Sequence, residues 1–139
     1  GIAIEAMGIV TAGLSAKTIS HVCYGDFAAI YPQVLDLAVD QLDLAMANYG
    51  YRWLDLFDRD PFTKELAIGI VDVHAHETES IAEAAEGIRK GLRYVKPEKL
   101  WPHPDCGLKT RTVEESLEKC VAVVEATKVV RKELARVPA

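Results

Sequence analysis

No apolar run in the sequence approaches the ~20 residues that a membrane-spanning helix requires. No basic segment leads into an apolar stretch at the N-terminus, so no secretory signal is visible. Lysine and arginine form no cluster. Sixteen basic residues against 21 acidic ones leave a net charge of −5 and a pI near 5.4, which makes nucleic acid and anionic membranes poor partners. Neither a G-x-G-x-x-G after a strand nor a G-x-x-x-x-G-K-[ST] occurs, so the loops that cradle phosphates in the common nucleotide-binding folds are missing. Low-complexity tracts and strong repeats are absent too. Cysteine is scarce. Three residues in an acidic chain without a secretion signal do not make a disulfide framework, and they point to metal or thiol chemistry in a reducing, cytoplasmic compartment.

What is present is the balance of a globular protein: 139 residues, 50% apolar, 27% charged, with a mean hydropathy of +0.06. That suffices for one domain and not for two. The chain opens on Gly1 directly in a helical pattern, as an internal position of a longer protein would.

Along the chain, helical and strand-like segments alternate. Residues Ile4 to Val10 read as the end of a helix closed by Gly13. Thr18 to Cys23, Leu42 to Ala47, Leu66 to Val73 and the stretch from Leu100 read as four short strands. Asp26 and Pro32 predict a helix running to about Val39, and Tyr51 to Phe57 a shorter one. Ser80 with Glu83, and Thr112 with Glu115, form capping boxes that open two further helices. Ile81, Ala85, Ile88, Leu92 and Val95 mark the inner face of the first. Val113, Leu117, Cys120, Val121 and Val124 mark the expected inner face of the second. Strands alternating with helices mean βα units and a parallel α/β sheet.

The chemistry collects at strand ends. His21-Val22-Cys23 closes the first strand, and residues two apart in an extended chain point to the same side. Cys106 lies beyond the fourth strand, in a Pro-Asp-Cys-Gly turn. The C-terminal ends of parallel strands share one edge, so His21, Cys23 and Cys106 can meet there. One imidazole and two thiolates suit zinc, and three protein ligands leave the fourth position open, as a catalytic site requires. H-x-C alone is most often structural; its pairing with the Pro-Asp-Cys-Gly turn is what favours a metal. Asp72 and His74 at the end of the third strand also share a face. A carboxylate beside an imidazole suits a proton donor, and the alternative is a buried histidine satisfied by a carbonyl. Asp26, Asp43 and Asp105 lie near strand ends, where they either orient ligands or cap turns. His76 reads as a solvated loop residue or a neighbour of His74, His103 has no assigned role, and Cys120 reads as core.

The segments "HVCYGDF", "VDVHAHETES" and "LWPHPDCGLKTR" resemble motifs of cobalamin-independent methionine synthase and its short archaeal and bacterial relatives, over nearly the whole chain. The resemblance implies a (βα)8 TIM barrel of which residues 1–139 would be a single region, the last four βα units. It implies a Zn²⁺ ion on His21, Cys23 and Cys106, with His74 as the catalytic histidine, and alkyl transfer to a small-molecule thiol from an alkyl donor. Two positions depart from the family pattern: Ala45 stands where a glutamate zinc ligand is usual, and Ala75 where a serine follows the histidine. A His/Cys/Cys set resembles that of alkyltransferases acting on the thiol of coenzyme M, including epoxyalkane:coenzyme M transferase. A non-catalytic zinc-binding half-domain and a fragment with core cysteines are the competing expectations. A complete barrel takes ~250 residues. The other half is therefore expected from an upstream segment, another chain or self-association, since bare sheet edges are a pairing liability.

Overall fold

The computed structural model describes residues 1–136; the last three residues of the expected region lie outside that range. Four strands, β1 (Ile19–Val22), β2 (Gln41–Leu44), β3 (Glu65–Val71) and β4 (Leu100–Pro104), form one sheet in sequential order. All pairings are parallel. Helix α1 (Ile2–Thr11) precedes β1, α2 (Ile81–Gly91) links β3 to β4, and α3 (Val113–Leu134) follows β4. Parallel strands in chain order, with helices alternating between them, are the arrangement of the C-terminal half of a (βα)8 barrel.

The register decides which side chains share a face. His21 lies beside Asp43, Asp43 beside Ala67, Ala67 beside Trp101, and Gly69 beside His103. Lateral neighbours in a sheet project to the same side, so these residues line the face opposite the helices. The other face carries Leu42, Leu44, Leu66, Ile68 and Ile70, all buried with Ala84, Ala85 and Ile88 of α2 and Ala122, Ala126 and Val130 of α3. Both capping boxes form, with Ser80 and Thr112 each accepting the N–H of the glutamate three residues on.

Three local expectations need correction. The helix expected from Pro32 to Val39 is instead a pair of short 3₁₀ turns at Phe27–Ala29 and Gln33–Asp36. The segment after β2 is likewise 3₁₀, at Arg52–Asp58. Phe27, Tyr31, Val34 and Phe57 are buried there, so the apolar positions were legible while the tighter winding was not. The face of α3 is also reversed. Val113 is 80% exposed and Leu117 65%, and Cys120, Val121 and Val124 are exposed with them. The buried stripe is Lys119, Ala122, Val123, Ala126 and Val130. Small residues let α3 approach the sheet and α2 more closely than a Val/Leu stripe would, and α3 has no neighbour on its far side among the described residues.

β3 is small on its open face, and that matters most at Gly69. A Cβ there would sit 1.9 Å from Asp105 Oδ1 and 2.8 Å from Asp105 Cα. Gly69→Ala is therefore expected to cost about 2–3 kcal/mol through forced overpacking. In α1, Gly8 has no atom within 4 Å of a built Cβ, and Gly8→Ala is expected to stabilise by about 0.5–1 kcal/mol. Urea denaturation midpoints of the two variants should move in opposite directions.

Candidate metal centre

The site is assembled by the ends of all four strands. His21 is in β1 and Cys23 follows its last residue, while Cys106 lies two residues beyond β4. Although 83 positions apart, Cys23 Sγ and Cys106 Sγ are 3.4 Å from each other. A ligating atom from each of His21, Cys23 and Cys106 lies within 4.8 Å of the others. Two sulfurs at about 2.3 Å from a tetrahedral zinc would stand about 3.8 Å apart, so the observed spacing needs little adjustment to hold an ion.

Asp43 on the adjacent strand orients the imidazole. His21 Nδ1 is 2.8 Å from Asp43 Oδ1, which leaves Nε2 as the free ligating nitrogen on the side that faces Cys106. A carboxylate behind a ligating histidine fixes its tautomer and raises its basicity. Burial works to lower the His21 pKa, but the hydrogen bond and charge of Asp43, helped by Cys106, raise it above the ordinary value. Burial works against ionisation of Asp43 too, and His103 and His21 together outweigh it and hold the carboxyl below its usual range. Between the thiols, the hydrogen bond from Cys23 lowers the Cys106 pKa, while burial and that same contact push Cys23 up. Cys106 is thus the readier thiolate. His21, Asp43, His103, Pro104, Cys106 and Gly107 line one open depression.

Cys106 is held in place by its neighbour. The Asp105 side chain is fully buried and crosses above Gly69 to the end of β2. Its Oδ1 accepts from the N–H groups of Met46 and Ala47, both at 2.9 Å, and its Oδ2 from that of Asn48 at 2.7 Å. Its own N–H donates to Val71 O at 2.9 Å. One residue therefore ties the end of β4 to the ends of β3 and β2. Burial raises the Asp105 pKa, and the three N–H donors hold it partly back.

The His74 loop lies alongside. The His74 ring is exposed and meets Tyr24, the neighbour of Cys23, edge-on with centroids 4.3 Å apart. The structure brings Asp72 and His74 together, but through the backbone: Asp72 Oδ1 accepts from the His74 N–H at 2.8 Å and Oδ2 from Asn48 Nδ2 at 3.0 Å. Among the described residues no carboxylate reaches the His74 ring. Asp72 sets the loop, and the loop is anchored from below. Its N–H donates to Glu79 Oε1 at 2.6 Å, and the fully buried Lys119 donates to Glu77 O at 2.6 Å and Glu79 Oε2 at 3.4 Å. His76 reaches Glu115 Oε1 at 2.7 Å on α3. Ala45 is buried at the end of β2 and offers no donor.

A family profile described as "Cobalamin-independent synthase, Catalytic domain" matches residues 2–129. The chain belongs to that family. A methionine synthase of Saccharolobus solfataricus is 44% identical over 133 residues, covering 96% of this chain and 40% of that protein. One of Sulfolobus acidocaldarius is 40% identical over 132 residues, covering 95% and 38%. The chain thus spans about 40% of the length of these curated family members. The structure of a B12-independent methionine synthase from a Shewanella species, in complex with selenomethionine, superposes with a TM-score of 0.81 at 23% identity, over 96% of this chain and 44% of that one. It confirms the fold of this family member.

Sequence pattern did not mark two residues that matter here. Lys119 sits in a helix where spacing alone suggests a solvated lysine. His103 was hidden between two prolines, and only the strand register shows that it faces Asp43 across Ala67 and Gly69. Asp105→Ala is expected to destabilise the protein by about 3–5 kcal/mol, because each buried N–H left without an acceptor costs about 1–3 kcal/mol. Asp105→Asn keeps one acceptor oxygen and should lose less. Equilibrium unfolding in urea measures both, and an Asp105→Ala variant as stable as the parent would contradict the capping role.

Proposed function

We propose that residues 1–139 are the last four βα units of a zinc-dependent thiol alkyltransferase and carry its metal. The observation that supports this most is the convergence of His21, Cys23 and Cys106 from strands at opposite sides of the sheet. When bound, zinc strips the proton from a coordinated thiol and keeps the sulfur nucleophilic at neutral pH. The chain's own residues do the rest. The thiolates of Cys23 and Cys106 would offset the charge of a dication, and the His21 imidazole, oriented by Asp43, would complete a three-residue ligand set open to a thiol substrate. The leaving group of the alkyl donor needs a proton as its bond breaks. His74, exposed and edge-on to Tyr24, the neighbour of Cys23, is the acid we assign. Asp72 supports it by fixing the loop, not by contact with the ring.

By its family, the reading is methyl transfer to a thiol such as homocysteine. A second reading is epoxide opening on the coenzyme M thiol, favoured by one observation: alanine at position 45 leaves a His/Cys/Cys set. The substrates reach beyond this chain. α1 buries none of its residues, Ile19 at the sheet edge is 56% exposed, and the outer stripe of α3 is bare. These surfaces fit the remaining half of a barrel, supplied by an upstream segment, another chain or a second copy.

The full chain purified with zinc is expected to hold about one ion, and Cys106→Ser to lose it. His74→Ala should keep the ion and lose thiol alkylation at least 100-fold, consistent with about 10²–10⁴ for a general acid. Full zinc in Cys106→Ser would overturn the ligand set, and full turnover in His74→Ala would overturn the acid. Assays with homocysteine and methyl donors, against coenzyme M and an epoxide, separate the two substrate readings. By sedimentation, the 139-residue chain alone is expected to self-associate through its bare edges; a monodisperse monomer would contradict the missing-half reading.

A further inference from the structure

His103 has no part in the ligand set or the acid described so far. It sits on β4, two strands from Asp43, yet its Nε2 is 2.9 Å from Asp43 Oδ1. The reach is possible because the positions of β3 lying between them on that face are the small Ala67 and Gly69. The approach is off-axis, a charge contact rather than a well-formed hydrogen bond. The oxygen it meets is the one that also takes His21 Nδ1 at 2.8 Å. The two imidazoles flank the carboxylate, with centroids 6.5 Å apart and planes at 74°.

The mounting of His103 is unusually stiff. Pro102 and Pro104 bracket it. Each proline fixes its own φ, and Pro104 restricts His103 to extended backbone. Nδ1 is engaged by the Pro104 carbonyl. The side chain is four-fifths buried, with 21% of its surface exposed. An imidazole held this firmly, against the same Asp43 oxygen that meets His21 Nδ1, restricts rotation of the carboxylate away from that contact.

We propose that His103 is a positioning residue for the metal ligand His21, acting through Asp43. This rests on the metal reading above. His103 does not touch the ion; it holds the carboxylate that holds the ligand. In a site that lacks a donor at position 45, the order of His21 carries more of the burden of closing a three-ligand shell. Orienting partners of this kind are typically worth 10–100-fold in metal affinity.

The test is cobalt and zinc affinity of the full chain, by competition with a chelator, together with the visible spectrum of the cobalt form. Asp43→Ala should weaken affinity about 10–100-fold. His103→Leu, which acts one step further from the ion, should weaken it less, about 3–10-fold, and distort the tetrahedral cobalt bands. His103→Gln, whose amide N–H can still meet Asp43, should restore most of the loss. In an Asp43→Ala background, His103→Leu should have no further effect, because coupled residues are non-additive. Parent-like affinity and spectrum in His103→Leu would overturn the proposal, as would the same loss from His103→Leu with and without Asp43. Failure of the parent chain to bind cobalt at all would instead overturn the metal reading, and this proposal with it.

Discussion

The buried carboxylate of Asp105 holds the candidate site together. It sits at the end of β4, accepts from the backbone N–H groups of residues 46, 47 and 48 after β2, and donates its own N–H to Val71 at the end of β3. Short parallel strands leave polar backbone groups exposed at their ends, and a buried N–H without an acceptor is costly. Asp105 satisfies three of them at once. Glycine at position 69 is the condition for this, since any side chain there would occupy the space of the carboxylate. The next residue is Cys106. The sulfur that completes the thiol pair is thus placed by the same interaction that closes the sheet.

From that anchor the site is built in graded steps. His21, Cys23 and Cys106 face one another. Asp43 turns the imidazole, and His103 faces Asp43 over the small residues of β3. On the other side Tyr24 joins the thiols to His74, whose loop is pinned by Asp72, Glu79 and the buried Lys119. Several of these contacts, Asp43 with His21 and Asp105 with residues 46 to 48 among them, join different strands. A change in one element is therefore transmitted to the position of a sulfur or a ring nitrogen rather than absorbed locally.

Much of this was legible in the sequence because it is local. H-x-C needs only the two-residue period of a strand and the capping boxes only a spacing of three, whereas Asp72 and His74 lie beyond β3 and meet through the backbone rather than by sharing a strand face. The four strands followed from short β-branched or apolar runs, and their parallel order from the helices between them. The less legible parts depend on neighbours far along the chain. The stripe Val113, Leu117, Cys120, Val121 and Val124 has the spacing of an inner face, but α3 turns its alanines inward and leaves the wider stripe exposed. The 3₁₀ turns after β1 and β2 follow a buried pattern that a sequence shares with a helix. His103 and Lys119 acquire meaning only from register and packing, which no single-sequence period encodes.

The central claim is that one metal ion is held by His21, Cys23 and Cys106 with one position left for a thiol. X-ray absorption at the zinc edge of the zinc-loaded full chain tests it most directly. The account predicts two sulfur scatterers at about 2.3 Å and one imidazole nitrogen at about 2.0–2.1 Å, with the sulfur count rising from two to three when a thiol substrate is added. A shell of oxygen and nitrogen alone, or a sulfur count that does not change with thiol, would contradict it.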